Sequence, residues 1–365
     1  MVFLVVLSLV LVVGAGCSKE ADNAQKTSGN TGDQDYVVQL GYYNCDHMVG
    51  ACIAKDAGIF DELGLKVNVI GNAKVPTAMA AGQMDVGYIG TRGLATAFDK
   101  GAPILAVANN HVGGSTYLVA SNKIKTARDL VGKKVALGND AEKNNPKWVQ
   151  LAKQLGIPAE TSAYQNFEMD DKDAYLAMKT GNLDGYFCCD PWASMAVYEK
   201  TGHVLGTWTT LPDGSWGTCC VYSMNKNFVK EHPELAKKML LAHTRAVEYT
   251  YLHPVKAARI FAKNYQVPEE VALMTIYMKT VGEGRTLTWK IDPNCFKNYF
   301  ENAKKMKVED FMEIGSCDRW LDTTLLDQSG ADDFDNFIKT KVDPIFPVGM
   351  SYQDWKMKAL EIDGK

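Results

Sequence analysis

Ala80-Ala81-Gly82-Gln83-Met84-Asp85-Val86-Gly87-Tyr88-Ile89 reads as a helix end, a glycine stop, a turn aspartate and a buried strand. Ninety-nine residues later, Lys179-Thr180-Gly181-Asn182-Leu183-Asp184-Gly185-Tyr186-Phe187-Cys188 repeats the pattern. Each strand then runs into a helix start: Gly90-Thr91-Arg92-Gly93 in the first copy, Asp190-Pro191-Trp192 in the second. Two matching strand-to-helix turns predict two similar α/β lobes facing a cleft. Helix–glycine–strand units recur in any α/β protein, so the rest of the chain has to agree.

It does. β-rich runs at 37–41, 66–70, 86–89, 104–108, 117–120, 134–137, 185–188, 204–207 and 219–223 alternate with helical stretches at 49–57, 76–81, 146–155 and 172–180. That alternation predicts mainly parallel central strands. After about Ser223 the pattern becomes helix upon helix. Asn225 reads as an N-cap, and Pro233, Pro254 and Pro268 open three further helices, the first running to about Leu252. Proline suits a first turn, where its missing N–H costs nothing. The last 45 residues mix short polar turns with a Pro-rich run at 342–348 and define no element.

The length of 365 residues exceeds what one core ordinarily organises, which agrees with two lobes. Apolar residues at 46% and charged residues at 22% exclude a disordered or collagen-like chain. A formal net charge of −4 disfavours nucleic-acid binding, which needs a basic surface. It does not constrain a small pocket, whose local charge can oppose the whole.

Val2 to Val13 is an apolar run broken by Ser8, too short to span a bilayer, and it ends in Gly14-Ala15-Gly16-Cys17. A short apolar segment before small residues reads as a secretory signal over 1–16. Cysteine just after the cut resembles a bacterial lipoprotein signal, with Cys17 as the lipidated residue. Two features depart from that pattern: no Lys or Arg precedes the run, and Gly14 stands where a larger apolar residue is usual. Residues 17–35 carry nothing apolar larger than Ala up to Asp35 and read as a flexible tether, reaching at most ~60 Å.

Ligands of open α/β sheets gather at the carboxyl ends of strands, where helix N-termini present free N–H groups and favour anions. The turns at 42–47, 90–92, 109–116, 138–140 and 189–192 occupy such places. Thr91 can cap or donate, and Arg92 can fork two hydrogen bonds to an oxyanion. His111 lies in a glycine-bearing run with Ser115 and Thr116 as further donors. Asp190 can hold an ammonium or hydroxyl, with Trp192 as a wall; Tyr42, Tyr43 and Trp216 are other candidate walls. Each has a plainer reading: a solvated arginine, a histidine bonded to a carbonyl, an aromatic in the core. There is no HExxH, Walker loop or GxSxG, and no CxxC or zinc-ribbon spacing among the cysteines. The adjacent cysteines 188–189 and 219–220 fall in predicted strands, where only one of each pair would face a site. A metal receptor built on His47, His111 and cysteines has no paired ligand spacing behind it, so neither metal nor cofactor is expected.

Asn44-Cys45-Asp46-His47, Ala54-Lys55-Asp56-Ala57-Gly58-Ile59-Phe60 and Leu63-Gly64-Leu65-Lys66-Val67 resemble the opening of the nitrate/sulfonate/taurine-type periplasmic binding proteins. Gly82-Gln83-Met84-Asp85-Val86-Gly87, the run from Ile124 to Ala136, Gly181 to Trp192 and Phe228 to Pro233 continue the likeness in order, over roughly Tyr36 to Tyr265. The resemblance implies a two-lobed type II periplasmic-binding-protein fold with a helical C-terminal extension. Lobe 1 would comprise 36–120 and 222–365, lobe 2 121–221, with hinge strands near 117–122 and 218–224. It further implies a monomeric receptor for an ABC importer, exported and lipid-anchored outside the cytoplasm, handing a small anionic or zwitterionic solute to a permease. The implied binding set is Tyr42, Asn44, His47, Gly90, Thr91, Arg92, His111, Ser115, Thr116, Asn139, Asp190, Trp192 and Trp216. An acid at 190 suits a zwitterion such as taurine better than a bare anion. A small sulfonate or amino-sulfonate therefore ranks first, nitrate or bicarbonate second, with a thiamine-pyrimidine precursor as another option. The same fold includes a fungal pyrimidine synthase with a four-cysteine cluster; Thr218-Cys219-Cys220-Val221-Tyr222 lacks that cluster, and the chain is read as a non-enzyme.

Overall fold

The computed structural model describes residues 33–43, 45–71, 74–113, 116–138, 145–208, 217–308 and 311–364. The expected signal, Cys17, most of the tether, and Asn44, Ser115, Asn139 and Trp216 lie outside them.

Among the described residues, ten strands form two five-stranded sheets: β1 (Val37–Gly41), β2 (Lys66–Ile70), β3 (Val86–Gly90), β4 (Ile104–Val112), β5 (Thr116–Ser121), β6 (Lys134–Ala136), β7 (Gln165–Asn166), β8 (Gly185–Cys189), β9 (Gly202–Trp208) and β10 (Thr218–Asn225). The first sheet runs β2-β1-β3-β10-β4 and the second β7-β6-β8-β5-β9. In both, three parallel strands are followed by one antiparallel strand that the chain contributes from another part of the sequence. All of β5 pairs within the second sheet and all of β10 within the first. The passages between sheets therefore come before Thr116 and before Thr218, and the expected boundary at 120/121 falls inside β5.

The repeated sequence unit explains the matching order. Gly82 and Gly181 end their helices at φ 68° and 80°, where an L side chain is strained. The turn aspartates then extend the ladder. The Asp85 N–H donates to Gln39 O at 3.0 Å and its carboxylate accepts the Gln39 N–H at 2.8 Å. Asp184 does the same with Lys134, at 2.8 and 3.2 Å. Each aspartate carbonyl accepts from the neighbouring crossing strand, from Asn225 N at 2.8 Å and from Ser121 N at 2.9 Å. The two lobes share a turn because one carboxylate satisfies the same orphaned strand amide in each.

The central strands β3, β10, β8 and β5 are covered on both faces and almost wholly buried, while the edge strands β2, β7 and β9 keep exposed positions. Under the first sheet one core gathers Ile53, Met239, Tyr251, Val255 and Phe261; the other gathers Phe296, Phe300, Phe311 and Trp320. The second sheet has Trp148 and Leu151 on one face, Tyr175 and Met178 on the other. The proline-opened helices are Pro233–Leu252, Pro254–Tyr265 and Glu269–Tyr277, and the Asn225 side chain accepts the Asn227 N–H at 2.9 Å as a cap. Pro293–Lys305 follows them, and the undefined last 45 residues supply Thr324–Gln328, Phe334–Phe337 and Tyr352–Asp363. The signal of those last three is weak because each buries only one or two residues, Leu325 in the first, Phe334 and Phe337 in the second, Trp355 and Ala359 in the third. Among the described residues no helix is long and apolar enough to cross a membrane.

Candidate functional site

A cavity of about 550 Å³ opens where the two sheets face each other. Parallel strands reach it by their carboxyl ends: Tyr43, Cys45 and His47 follow β1, Ile89 and Gly90 end β3, Leu137 and Gly138 follow β6, and Cys188 and Cys189 end β8. The crossing strands enter with their first residues, Thr116 of β5 and Cys219 and Cys220 of β10. Three helices point their N-termini inward. Gly90 precedes Thr91–Asp99, Asn145 caps Pro146–Leu155 by accepting Trp148 N–H at 3.3 Å, and Asp170 precedes Asp171–Lys179. Their first turns deliver Arg92, Lys147 and Asp171 to the wall. Pro76, Phe187 and Tyr299 supply apolar surface.

The polar groups are tightly organised. The Lys147 ammonium donates to Cys219 Sγ at 3.0 Å, and His47 Nε2 lies 2.9 Å from Cys220 Sγ. The Cys220 thiol beside it holds the Cys219 thiol well below its ordinary value; Lys147 and His47 add to this against the effect of burial. Burial alone would lower His47, but the Asp46 carboxylate and the Cys219 sulfur outweigh it and raise the imidazole to about 10. His47 Nδ1 sits 2.8 Å from Asp46 Oδ1. Burial raises Asp171 to about 6, even though its Oδ2 accepts the Cys189 N–H at 2.9 Å. Thr116 Oγ1 is buried with no hydrogen-bond partner among the described residues. Arg92, Lys147 and protonated His47 thus stand against the Asp171 carboxylate and the Cys219 sulfur at the wall, with Asp46 paired to His47 behind it.

Of the residues singled out from sequence, the structure brings His47, Gly90, Thr91, Arg92 and Thr116 to the wall. The Thr91 hydroxyl is already engaged, 2.8 Å from Thr218 Oγ1. Tyr42 does not line the cavity; its hydroxyl accepts from Cys52 Sγ at 3.1 Å in the core, and Tyr43 takes the wall position, as alternation along an extended chain requires. His111 lies behind the wall, fully buried, with its ring stacked on His47 at 4.6 Å. Asp190 is turned away: its carboxylate accepts Ser194 N–H at 2.8 Å and Ser194 Oγ–H at 3.1 Å, closing the start of the helix Trp192–Tyr198. Trp192 packs in the second-sheet core, 5.9 Å from Tyr175.

Sequence reasoning missed Lys147, Asp171, Tyr299 and the cysteines. Lys147 and Asp171 were open to the helix-start argument applied to Arg92. Both members of each cysteine pair line the cavity because alternation fails there. β10 carries irregular register around Cys220, and Cys189 is the last residue of β8.

The family model described as NMT1/THI5 like matches residues 44–257. The taurine-binding periplasmic protein of Escherichia coli (strain K12) is 27% identical over 168 residues, 45% of this chain and 50% of that protein. A 4-amino-5-hydroxymethyl-2-methylpyrimidine phosphate synthase of Saccharomyces cerevisiae is 25% identical over 218 residues, 56% of this chain and 64% of that protein. The chain thus spans about half the length of the first curated relative and under two thirds of the second. The ligand-binding component of an ABC-type import system from Staphylococcus aureus, solved with zinc bound, superposes with TM-score 0.64 at 15% identity, over 81% of this chain and 99% of that one. The alkanesulfonate-binding protein of Xanthomonas axonopodis pv. citri bound to MOPS gives 0.63 at 14% identity, over 79% and 98%. These superpositions establish the two-lobed α/β fold. With more than half of its length matched by one family model, the chain belongs to the NMT1/THI5-like family.

Proposed function

We propose that the protein is the solute receptor of an ABC importer and binds a small organic anion, an aliphatic sulfonate first of all, between its two lobes. One observation carries this reading. Arg92 and Lys147, each in the first turn of a helix, converge with the Thr116 hydroxyl, which has no partner among the described residues, on one cavity with apolar walls. Helix N-termini and charge-assisted donors recognise an oxyanion, and apolar walls recognise its organic tail. The volume of about 550 Å³ falls in the range of small-molecule pockets, and a bare three-oxygen anion such as nitrate would leave most of it empty. With Asp190 turned into its helix, an amino-sulfonate would have to place its ammonium near Asp171, the carboxylate on the wall.

Delivery to a permease, a lipid anchor at Cys17, a tether to Asp35 and a monomeric state complete the proposal. Lobe closure on the ligand is the hinge motion such a fold supports. Catalysis has no support of comparable weight, since Cys219 and Cys220 fall short of a four-cysteine cluster. A thermal-shift screen of the purified protein against alkanesulfonates, taurine, nitrate, bicarbonate and pyrimidine precursors tests the reading. A ligand at a hundred times its Kd stabilises the folded state by about 2.7 kcal/mol. Stabilisation by sulfonates supports the proposal; stabilisation by a pyrimidine or nitrate alone replaces the ligand and the pocket argument with it.

A further inference from the structure

We propose that His47, His111, Cys219 and Cys220 form a binding site for one thiophilic d10 metal ion, Zn2+ in the first place. The inference stands apart from the receptor reading, because the metal alone is its probe.

Tertiary structure brings together donors that the sequence separates. His47 follows β1, His111 is on β4, and the two cysteines are the second and third residues of β10. A nitrogen of each histidine and the Cys219 sulfur lie within 4.8 Å of one another. The two sulfurs are 3.7 Å apart, and His47 Nε2 stands 3.9 Å from Cys219 Sγ and 2.9 Å from Cys220 Sγ. A tetrahedron with Zn–N near 2.0 Å and Zn–S near 2.3 Å has edges of about 3.3 to 3.8 Å. The sulfur–sulfur separation already matches its edge of about 3.8 Å within about 0.1 Å, whereas the two nitrogen–sulfur separations, against an edge of about 3.5 Å, have to close by about 0.4 Å at Cys219 and open by about 0.6 Å at Cys220. Two imidazoles and two thiolates, with no carboxylate donor, select zinc or cuprous ion over calcium or magnesium.

The surroundings are those a metal centre needs. His47 Nδ1 is 2.8 Å from Asp46 Oδ1, which orients the ring and leaves Nε2 toward the sulfurs, the carboxylate–histidine arrangement found around bound metals. Lys147 donates to Cys219 Sγ, a hydrogen bond that a metal-bound thiolate can retain. A dication with Lys147 balances two thiolates and Asp46, so the buried centre carries no net charge. All four donor residues are buried, while His47, Cys219 and Cys220 border the cavity and give an ion its way in.

The test uses the full chain, kept reduced with a phosphine and stripped of metal with a chelator, then titrated with Co2+ and with Zn2+. The expected result is a thiolate-to-cobalt charge-transfer band with intense tetrahedral visible bands, bleached by one equivalent of Zn2+. Cys219→Ser and His111→Gln, each checked for an unchanged metal-free melt, should abolish that spectrum. Asp46→Asn should weaken Zn2+ about 10- to 100-fold through ring orientation. If a variant does not fold, zinc X-ray absorption on the parent decides: two sulfurs near 2.3 Å support the site. A shell without sulfur, no charge-transfer band in the parent, or full zinc affinity in both folded ligand variants overturns the proposal.

Discussion

Lys147 is the one lysine at the cavity wall among the described residues, and it sits in the first turn of its helix, where the dipole also favours an anion. A hydrogen bond to a charged group contributes about 1.5–3 kcal/mol, so Lys147→Gln should weaken sulfonate binding roughly 10- to 100-fold by calorimetry. Unchanged affinity would leave Lys147 a partner of Cys219 only. Asp171 acts with the opposite sign. Burial raises its carboxyl from the ordinary 3.8 to about 6, with Asp170 and Asp46 adding repulsion and the Cys189 N–H opposing. A raised acid favours the folded state below its unfolded value, and that contribution is lost as pH climbs through about 6. Over the same interval the cavity gains a negative charge, so sulfonate affinity should fall between pH 5 and 7, and Asp171→Asn should flatten the decline. At this scale the sequence showed the right residue types but not which way they face. Tyr42 and Tyr43 were equivalent candidates until the backbone turned one to the core and the other to the cavity.

Elements were legible where a local rule controls them. The Gly-x-x-Asp turn appears twice, and both copies build the same turn with the same carboxylate-to-amide bond. Asn225 and the first-turn prolines mark the helix starts they were read to mark. The reading of Asp190 failed for an element-level reason: it stands where a helix begins, and its carboxylate satisfies the Ser194 N–H rather than a ligand. Asp190→Ala should therefore cost about 1–2 kcal/mol of stability, as the loss of a helix cap does, and leave sulfonate affinity within about twofold. A denaturant melt together with calorimetry separates the cases; lost taurine affinity at full stability would restore Asp190 to the site. The Cys219–Cys220 pair escaped prediction because the register of β10 breaks at Cys220, and period-two alternation does not survive such a break; Cys189 escaped it as the last residue of β8.

The whole molecule was legible as two α/β lobes and a helical C-terminal part, since pattern and length speak to layers. Contacts between distant segments were not legible, because nothing in the sequence pairs position 46 with 279. Lys279, buried just past the helix Glu269–Tyr277, donates to Tyr117 OH at 2.8 Å and Glu283 Oε2 at 2.7 Å, and lies 3.5 Å from Asp46 Oδ2. Tyr117 belongs to the second sheet and Asp46 to the loop leaving the first, so this network joins the lobes beside the cavity. Breaking a buried pair by deleting one partner costs about 3–5 kcal/mol, and Lys279→Met should lower the unfolding midpoint accordingly. A loss below about 1 kcal/mol would show that the network solvates itself without joining anything. The receptor reading meets its most direct test in calorimetric titration of the purified protein with an aliphatic sulfonate, beside Arg92→Gln and Lys147→Gln variants that melt normally. One sulfonate per chain, with each variant weakened about tenfold or more, is the predicted result. No binding to the parent, or binding that both variants retain in full, would contradict it.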